Sequence, residues 1–108
     1  MKYPCSFLLV FFYFLSFSQQ PTQTVRGSDF DNETKFPLIG AKVVISSDNF
    51  ITRALTDFDG EFVVENVPVG KQQVQVEYSL YAENTITIEV YSGKEALVSI
   101  PLVELITE

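Results

Sequence analysis

The segment TDFDGEF, residues 56 to 62, holds the densest group of side chains that could carry out chemistry. Asp57, Asp59 and Glu61 alternate along it, and Gly60 precedes the last of them. Carboxylates at this spacing can ligate calcium, act as a pair of catalytic acids, or accept backbone hydrogen bonds in a tight turn. The rest of the sequence decides among these three interpretations.

The calcium interpretation fails for the most regular kind of loop. An EF-hand loop requires glycine at position 6 and a glutamate at position 12. Counted from Asp57, those positions hold Phe62 and Pro68. We therefore predict no metal and no cofactor, and we keep as an alternative a looser calcium site that uses Asp57, Asp59 and Asp48.

The catalytic interpretation lacks supporting residues. The chain has no histidine, and its single cysteine, Cys5, lies close to the N-terminus. Ser-His-Asp and Cys-His chemistry and the usual zinc sites are therefore excluded. An acid pair within one turn has no further residues that predict a substrate pocket. We predict that the protein is not an enzyme, with catalysis by Asp57, Asp59 or Glu61 as an alternative.

The turn interpretation accounts for every position of the segment. Asp57 can accept hydrogen bonds from nearby backbone amides, and Asp59-Gly60 is a strong hairpin signal because glycine tolerates a positive φ. Phe62 then becomes the first core residue of the next strand.

The N-terminus has the layout of a secretory signal peptide. Lys2 precedes an apolar run from Phe7 to Phe17, and Ser16 and Ser18 are small residues at the positions before a cleavage site. The run is shorter than the roughly 20 residues that a transmembrane helix needs. We predict a signal peptide over residues 1–18 and a short spacer over 19–22, with an uncleaved anchor as the alternative. The mature protein is then exported, to the periplasm or the outer membrane, or secreted.

The charge of the mature chain excludes two classes of partner. Removal of Lys2 with the signal peptide leaves six basic residues against fourteen acidic ones, a net charge of −8. Nucleic acids and anionic membranes both require basic patches, so neither is predicted as a partner, nor is membrane insertion of the mature domain. The acidity is most simply explained by solubility.

Apolar residues alternate with polar ones along most of the mature chain. TITIEV, residues 85 to 90, and QVQVEY, residues 73 to 78, show this period of two, which is typical of half-buried strands. Short turn signals separate such runs, so we predict an all-β fold, a seven-stranded antiparallel β-sandwich, over residues 23–105, with a tail at 106–108. The predicted strands are 23–31, 41–46, 51–56, 61–66, 72–78, 84–90 and 95–103.

Three segments of the sequence share a spaced pattern of glycine, proline and aspartate: VRGSDFDNETKFPLIGAKVVI, TDFDGEF and VPVGKQQVQVEY. Together they resemble the carboxypeptidase-regulatory-like domain. The residues that carry the resemblance are Gly27, Asp31, Pro37, Leu38, Gly40, Ala41, Thr56, Asp57, Gly60, Phe62, Pro68 and Gly70, and with Asp59 they form the predicted turn and fold signature. The resemblance implies a transthyretin-like β-sandwich without catalytic residues.

The sequence departs from the family at two places. The family usually has an aliphatic residue two positions after the first glycine, where this chain has Asp29. A carboxylate in the core is costly unless it is paired, so we expect the first strand to twist outward there or Asp29 to lie at an edge. Leu80-Tyr81 replaces the family's Gly-Tyr, and we expect that loop to be built differently.

The resemblance also implies a function. Such domains occur beside peptidases and at the N-terminus of TonB-dependent outer-membrane receptors, so we expect a non-catalytic accessory domain, or a truncated fragment, of such a receptor that contacts protein partners in the periplasm or outer membrane. The alternative is a stand-alone secreted domain that binds carbohydrate or an adhesion partner. Phe50, Phe58, Tyr81 and Tyr91 are the aromatic residues that could face a ligand; the simpler interpretation is that they complete the ends of the core.

Overall fold

The computed structural model describes residues 21–105, and these residues form strands and turns only. The predicted signal peptide and the tail at 106–108 lie outside the described residues. The seven strands are β1 Thr22–Asp31, β2 Lys42–Ser47, β3 Phe50–Leu55, β4 Glu61–Pro68, β5 Gly70–Glu77, β6 Asn84–Val90 and β7 Ala96–Leu102. The predicted all-β sandwich of seven strands is therefore confirmed.

The strands form two sheets. The three-stranded sheet has the order β4-β1-β7, and the four-stranded sheet has the order β3-β2-β5-β6. Every pair is antiparallel except β1 and β7, which run parallel with Gly27 beside Val98. The antiparallel prediction thus has one exception. No hairpin joins β1 to β7, so no tight turn forces the two strands to run in opposite directions.

The core lies between the sheets and consists mainly of β-branched side chains. Each strand sends alternate residues inward, as the period of two requires. Fully buried members include Val25 of β1, Ile45 of β2, Val74 of β5 and Ile100 of β7. Because valine and isoleucine fit the pleated surface of a sheet, the same residues favour the strands and fill the core.

Gly27 permits the closest approach inside the three-stranded sheet. A Cβ atom at this position would lie 2.4 Å from the Phe62 ring and 3.0 Å from the Val98 carbonyl oxygen. The Phe62 ring therefore occupies the space that any other residue at position 27 would need. This contact explains why the glycine and the phenylalanine both belong to the signature.

The connections between strands gather at two ends of the sandwich. The Asp57 pole consists of the loop at 32–41, the turn at 56–60, the loop at 78–83 and the segment at 103–105. The Phe50 pole consists of the β2–β3 turn at 48–49, the β4–β5 turn at 69 and the connection at 91–95. Within residues 21–105 there is no helix of the length and apolarity that crossing a bilayer requires.

Candidate functional site

The turn at 56–60 joins β3 of one sheet to β4 of the other, so the hairpin predicted from Asp59-Gly60 is wrong, because the two strands do not pair with each other. The turn is held by its own aspartate. Asp57 Oδ1 accepts hydrogen bonds from the backbone amides of Asp59 and Glu61, both at 2.9 Å. The amide of Gly60 donates to the Asp57 carbonyl at 2.9 Å, and Gly60 has a φ of 72°. These contacts are those of the turn interpretation, since the aspartate serves the backbone and the glycine takes the left-handed conformation.

The three carboxylates in and next to the turn at 56–60 lie close together at the surface. One oxygen from each of Asp57, Asp59 and Glu61 lies within 4.8 Å of the others, and all three residues are exposed. Asp48 lies at the Phe50 pole, at the other end of the six-residue strand β3 and about 20 Å away. The looser calcium set is therefore not brought together, and Glu61 takes the place that was expected of Asp48.

Thr56 connects the turn at 56–60 to the loop before β2 by hydrogen bonds. Its side chain is buried; the Oγ1 hydroxyl donates to the Leu38 carbonyl at 2.6 Å and accepts from the Ala41 amide at 2.8 Å. The Gly40 amide donates to the Thr56 carbonyl at 3.0 Å. The signature residues of the loop before β2 and of the turn at 56–60 thus form one structural unit.

Pro37 and Gly60 bring the same two segments into contact. A Cβ atom at Gly60 would lie 2.8 Å from Cβ of Pro37 and 2.7 Å from the carbonyl oxygen of Asp29. The remaining signature residues, Pro68 and Gly70, flank the β4–β5 turn at the opposite pole, where the Val69 amide donates to the Pro21 carbonyl at 3.2 Å. The signature therefore serves turns at both poles and forms no single site.

Asp31, at the end of β1, and Tyr81, in the loop at 78–83, form a hydrogen bond at the Asp57 pole. The Tyr81 hydroxyl donates to Asp31 Oδ2 at 2.6 Å, and Asp31 Oδ1 accepts from the amides of Glu33 and Thr34 at 2.8 and 3.0 Å. The hydrogen bond from Tyr81, with those backbone amides, lowers the pKa of the Asp31 carboxyl. The same hydrogen bond, with partial desolvation, raises the pKa of Tyr81 to about 12.

Asp29 contradicts the expectation that it avoids the core. It lies on β1, the central strand of its sheet, and its exposed fraction is 1%. Neither carboxylate oxygen has a hydrogen-bond partner among the described residues. Desolvation raises the pKa of the Asp29 carboxyl to about 7. The strand does not twist outward because β4 and β7 hold it on both sides; the alternation of residues 25, 27 and 29 already pointed the side chain inward.

The four aromatic candidates do not meet. Phe50 and Tyr91 lie at the Phe50 pole, whereas Phe58 and Tyr81 lie at the Asp57 pole. Phe50 and Tyr81 pack partly against the core, while Phe58 and Tyr91 are 84% and 63% exposed. No shared aromatic platform results, and the Tyr81 hydroxyl is already bound to Asp31.

Residues 24–103 match the family model of the carboxypeptidase regulatory-like domain. The chain belongs to this family. The match covers both sheets and all the signature residues described above. A comparison with curated protein sequences finds no match for this regulatory-like domain.

Solved structures with the same fold include the TIE protein, a pilus backbone protein and a candidate carbohydrate-binding protein. The TIE protein of Bacillus anthracis has a TM-score of 0.68 at 23% identity, over 78% of this chain and 17% of that one. The pilus 2b backbone protein of group B streptococcus has a TM-score of 0.64 at 14% identity, over 77% and 41%. A candidate carbohydrate-binding protein of Bacteroides uniformis has a TM-score of 0.62 at 13% identity, over 78% and 42%.

These likenesses establish the fold of the regulatory-like domain. In each of the three proteins the matched region is less than half of the chain, so the sandwich is one part of a larger polypeptide there. The family and the fold together describe a carboxypeptidase regulatory-like β-sandwich domain.

Proposed function

We propose that this regulatory-like domain is the exported N-terminal accessory domain of a TonB-dependent outer-membrane receptor and acts by contact with another protein domain. Two features support the proposal: the layout of residues 1–18 and the family match over residues 24–103. The contact would be made in the periplasm or at the outer membrane.

The distribution of exposed apolar side chains carries this proposal. Six of the eleven large apolar residues that are exposed in the described part lie at the Asp57 pole, and a seventh, Leu55, is the last residue of the strand that leads to it. The six are Phe36, Ile39, Phe58, Leu80, Val103 and Leu105. Exposed apolar residues that are grouped on one part of a surface often mark a site of contact with another protein.

The C-terminal segment emerges at that same pole. The Leu105 amide donates to the Leu80 carbonyl at 2.8 Å, and Tyr81 and Glu104 form an isolated bridge. A receptor domain that follows this chain would begin beside Leu80. The proposed occupant of the Asp57 pole is that following domain.

The first test is the size and location of the native product. An antibody raised against the folded domain would be used on soluble, inner-membrane and outer-membrane fractions of the source cells. The proposal expects a band far larger than the 12.2 kDa of this chain, in the outer-membrane fraction. A small soluble product would refute the receptor role and favour the stand-alone secreted domain.

The second test concerns the contact surface. In the native receptor, Phe36→Ser with Phe58→Ser should increase proteolytic release of the domain, because the exposed rings would no longer pack against the following domain. Ile51→Ser with Leu97→Ser is the matched control, since both residues are exposed and lie on strands away from the Asp57 pole. Equal release from the two double variants would contradict the proposed surface.

A further inference from the structure

A cleft of about 990 Å³ lies at the Phe50 pole, opposite the proposed protein contact. The β2–β3 turn and the β4–β5 turn form its walls, and the outer face of the four-stranded sheet forms its floor. Ligand sites in proteins have volumes of roughly 300–1,000 Å³, so this cleft is at the upper end of that range. It can hold an extended ligand of several rings.

Hydroxyl and amide side chains make up the floor of the cleft. Ser46 of β2, Gln73 of β5 and Thr87 of β6 stand opposite one another in one row across three adjacent strands. Each of these groups both donates and accepts hydrogen bonds, and adjacent strands are about 4.8 Å apart. The row thus offers three such groups at regular intervals, which suits a ligand that itself carries many hydroxyl groups.

Gln72 holds the β4–β5 turn in place beside the cleft. Its exposed fraction is 2%, and its Nε2 donates to the Pro68 carbonyl at 2.9 Å. Because it alternates with Gln73 along β5, its side chain faces the core and not the row of polar groups. The turn that forms one wall of the cleft is therefore fixed from the core side.

The charges and the backbone of the cleft narrow the class of ligand. Asp48 and Lys71 are the only charged residues in the lining, and their charges cancel, so the cleft favours a neutral ligand. The strands β2 and β5 are paired on both sides, so a peptide could be added as a further strand at this face only along the edge strand β6 and not across the floor of the cleft. The half-buried Phe50 ring supplies an apolar face at the rim.

We propose that this cleft binds a neutral oligosaccharide. The row of Ser46, Gln73 and Thr87 would bind its hydroxyl groups, and the Phe50 ring would pack against a sugar face. The inference does not rest on the receptor contact, because the two surfaces lie at opposite poles.

The experiment is an NMR titration of the complete mature chain, labelled with ¹⁵N. Cellohexaose, maltohexaose, xylohexaose and mannohexaose would each be added to millimolar concentration. The proposal expects at least one of them to give saturable shifts in the amides of Ser46, Gln73 and Thr87. It is overturned if none of the four gives saturable shifts, or if the shifts fall elsewhere on the domain.

A matched pair of double variants then tests the side chains themselves. Gln73→Leu with Thr87→Val removes two hydrogen-bonding groups from the cleft and should weaken binding by about tenfold or more. Gln75→Leu with Thr85→Val makes the same changes one row further along the same sheet face, outside the cleft, and should change the Kd by less than about twofold. Equal weakening by both pairs would overturn the assignment.

Discussion

Asp29 and Asp31 stand two residues apart on β1 and respond to pH in opposite directions. The folded-state pKa of Asp29 is raised, so the folded protein binds its proton more tightly than the unfolded chain does. Its contribution is most favourable below pH 3.8 and is lost as the pH rises towards 7. The pKa of Asp31 is lowered, so its contribution is present above pH 3.8 and is lost as the pH falls through the lowered value.

Replacement of Asp29 by asparagine should make the domain more stable at neutral pH. A shift from 3.8 to about 7 corresponds to roughly 4 kcal/mol of folding free energy, at about 1.4 kcal/mol per pKa unit. Urea unfolding between pH 4 and pH 8 should therefore show Asp29→Asn gaining on the wild type as the pH rises, with similar stabilities near pH 4. Asp59→Asn, at an exposed position of the turn at 56–60, is the control. Parallel curves for wild type and Asp29→Asn would contradict the buried, unpaired carboxylate.

The Tyr81 hydroxyl should control the titration of Asp31. In Tyr81→Phe the carboxylate loses its largest stabilising hydrogen bond, so the pKa of Asp31 should rise towards its ordinary value, while the amides of Glu33 and Thr34 still hold it below that value. A ¹³C NMR titration of the carboxyl carbon measures this directly. Tyr78→Phe is a control on the neighbouring ring, whose centroid is 5.5 Å from that of Tyr81. An unchanged Asp31 titration would show that the hydrogen bond is absent in solution.

The Thr56 hydroxyl joins the turn at 56–60 to the loop before β2, together with a backbone hydrogen bond. Thr56→Val keeps the shape of the side chain but leaves the Ala41 amide and the Leu38 carbonyl without this partner. Because both groups are buried, the free energy of unfolding should fall by about 2 kcal/mol or more. Urea unfolding measures the loss, and Thr52→Val, on the inward face of β3, is the matched control. Similar stabilities for the two variants would remove Thr56 from its proposed role.

The parallel pairing with β7, together with the antiparallel pairing with β4, makes β1 the central strand of the three-stranded sheet. The strands β1, β2 and β5 have neighbours on both sides, whereas β3, β4, β6 and β7 are edges of their sheets. Amides of central strands usually open only with global unfolding. Hydrogen exchange followed by NMR should therefore find the slowest amides in β1, β2 and β5. Exchange of β1 as fast as that of β3 would contradict the parallel pairing.

Alternation along the chain was enough to predict the seven strands and most of the core. A strand that is buried on one face needs apolar residues at every second position, and this requirement is local, so TITIEV and QVQVEY reveal it directly. The turn at 56–60 could also be predicted, because Asp57 and Gly60 act on atoms only a few residues away, but that it joins two sheets and does not close a hairpin depends on distant strand pairing.

Contacts between residues distant in sequence could be decided only by the tertiary structure. The partner of Tyr81 is fifty residues away at Asp31, and nothing local to either residue indicates the other. Leu80 takes a φ of 68° where the family has glycine, because the pairing with residues 104 and 105 holds that loop in place. Asp29 is buried because β4 and β7 close on both sides of β1, and the grouping of the Phe50-pole cleft depends on three strands meeting in register. The alternation of residues therefore determined which faces are buried, while the packing of distant strands decided which polar groups meet and which are left without a partner.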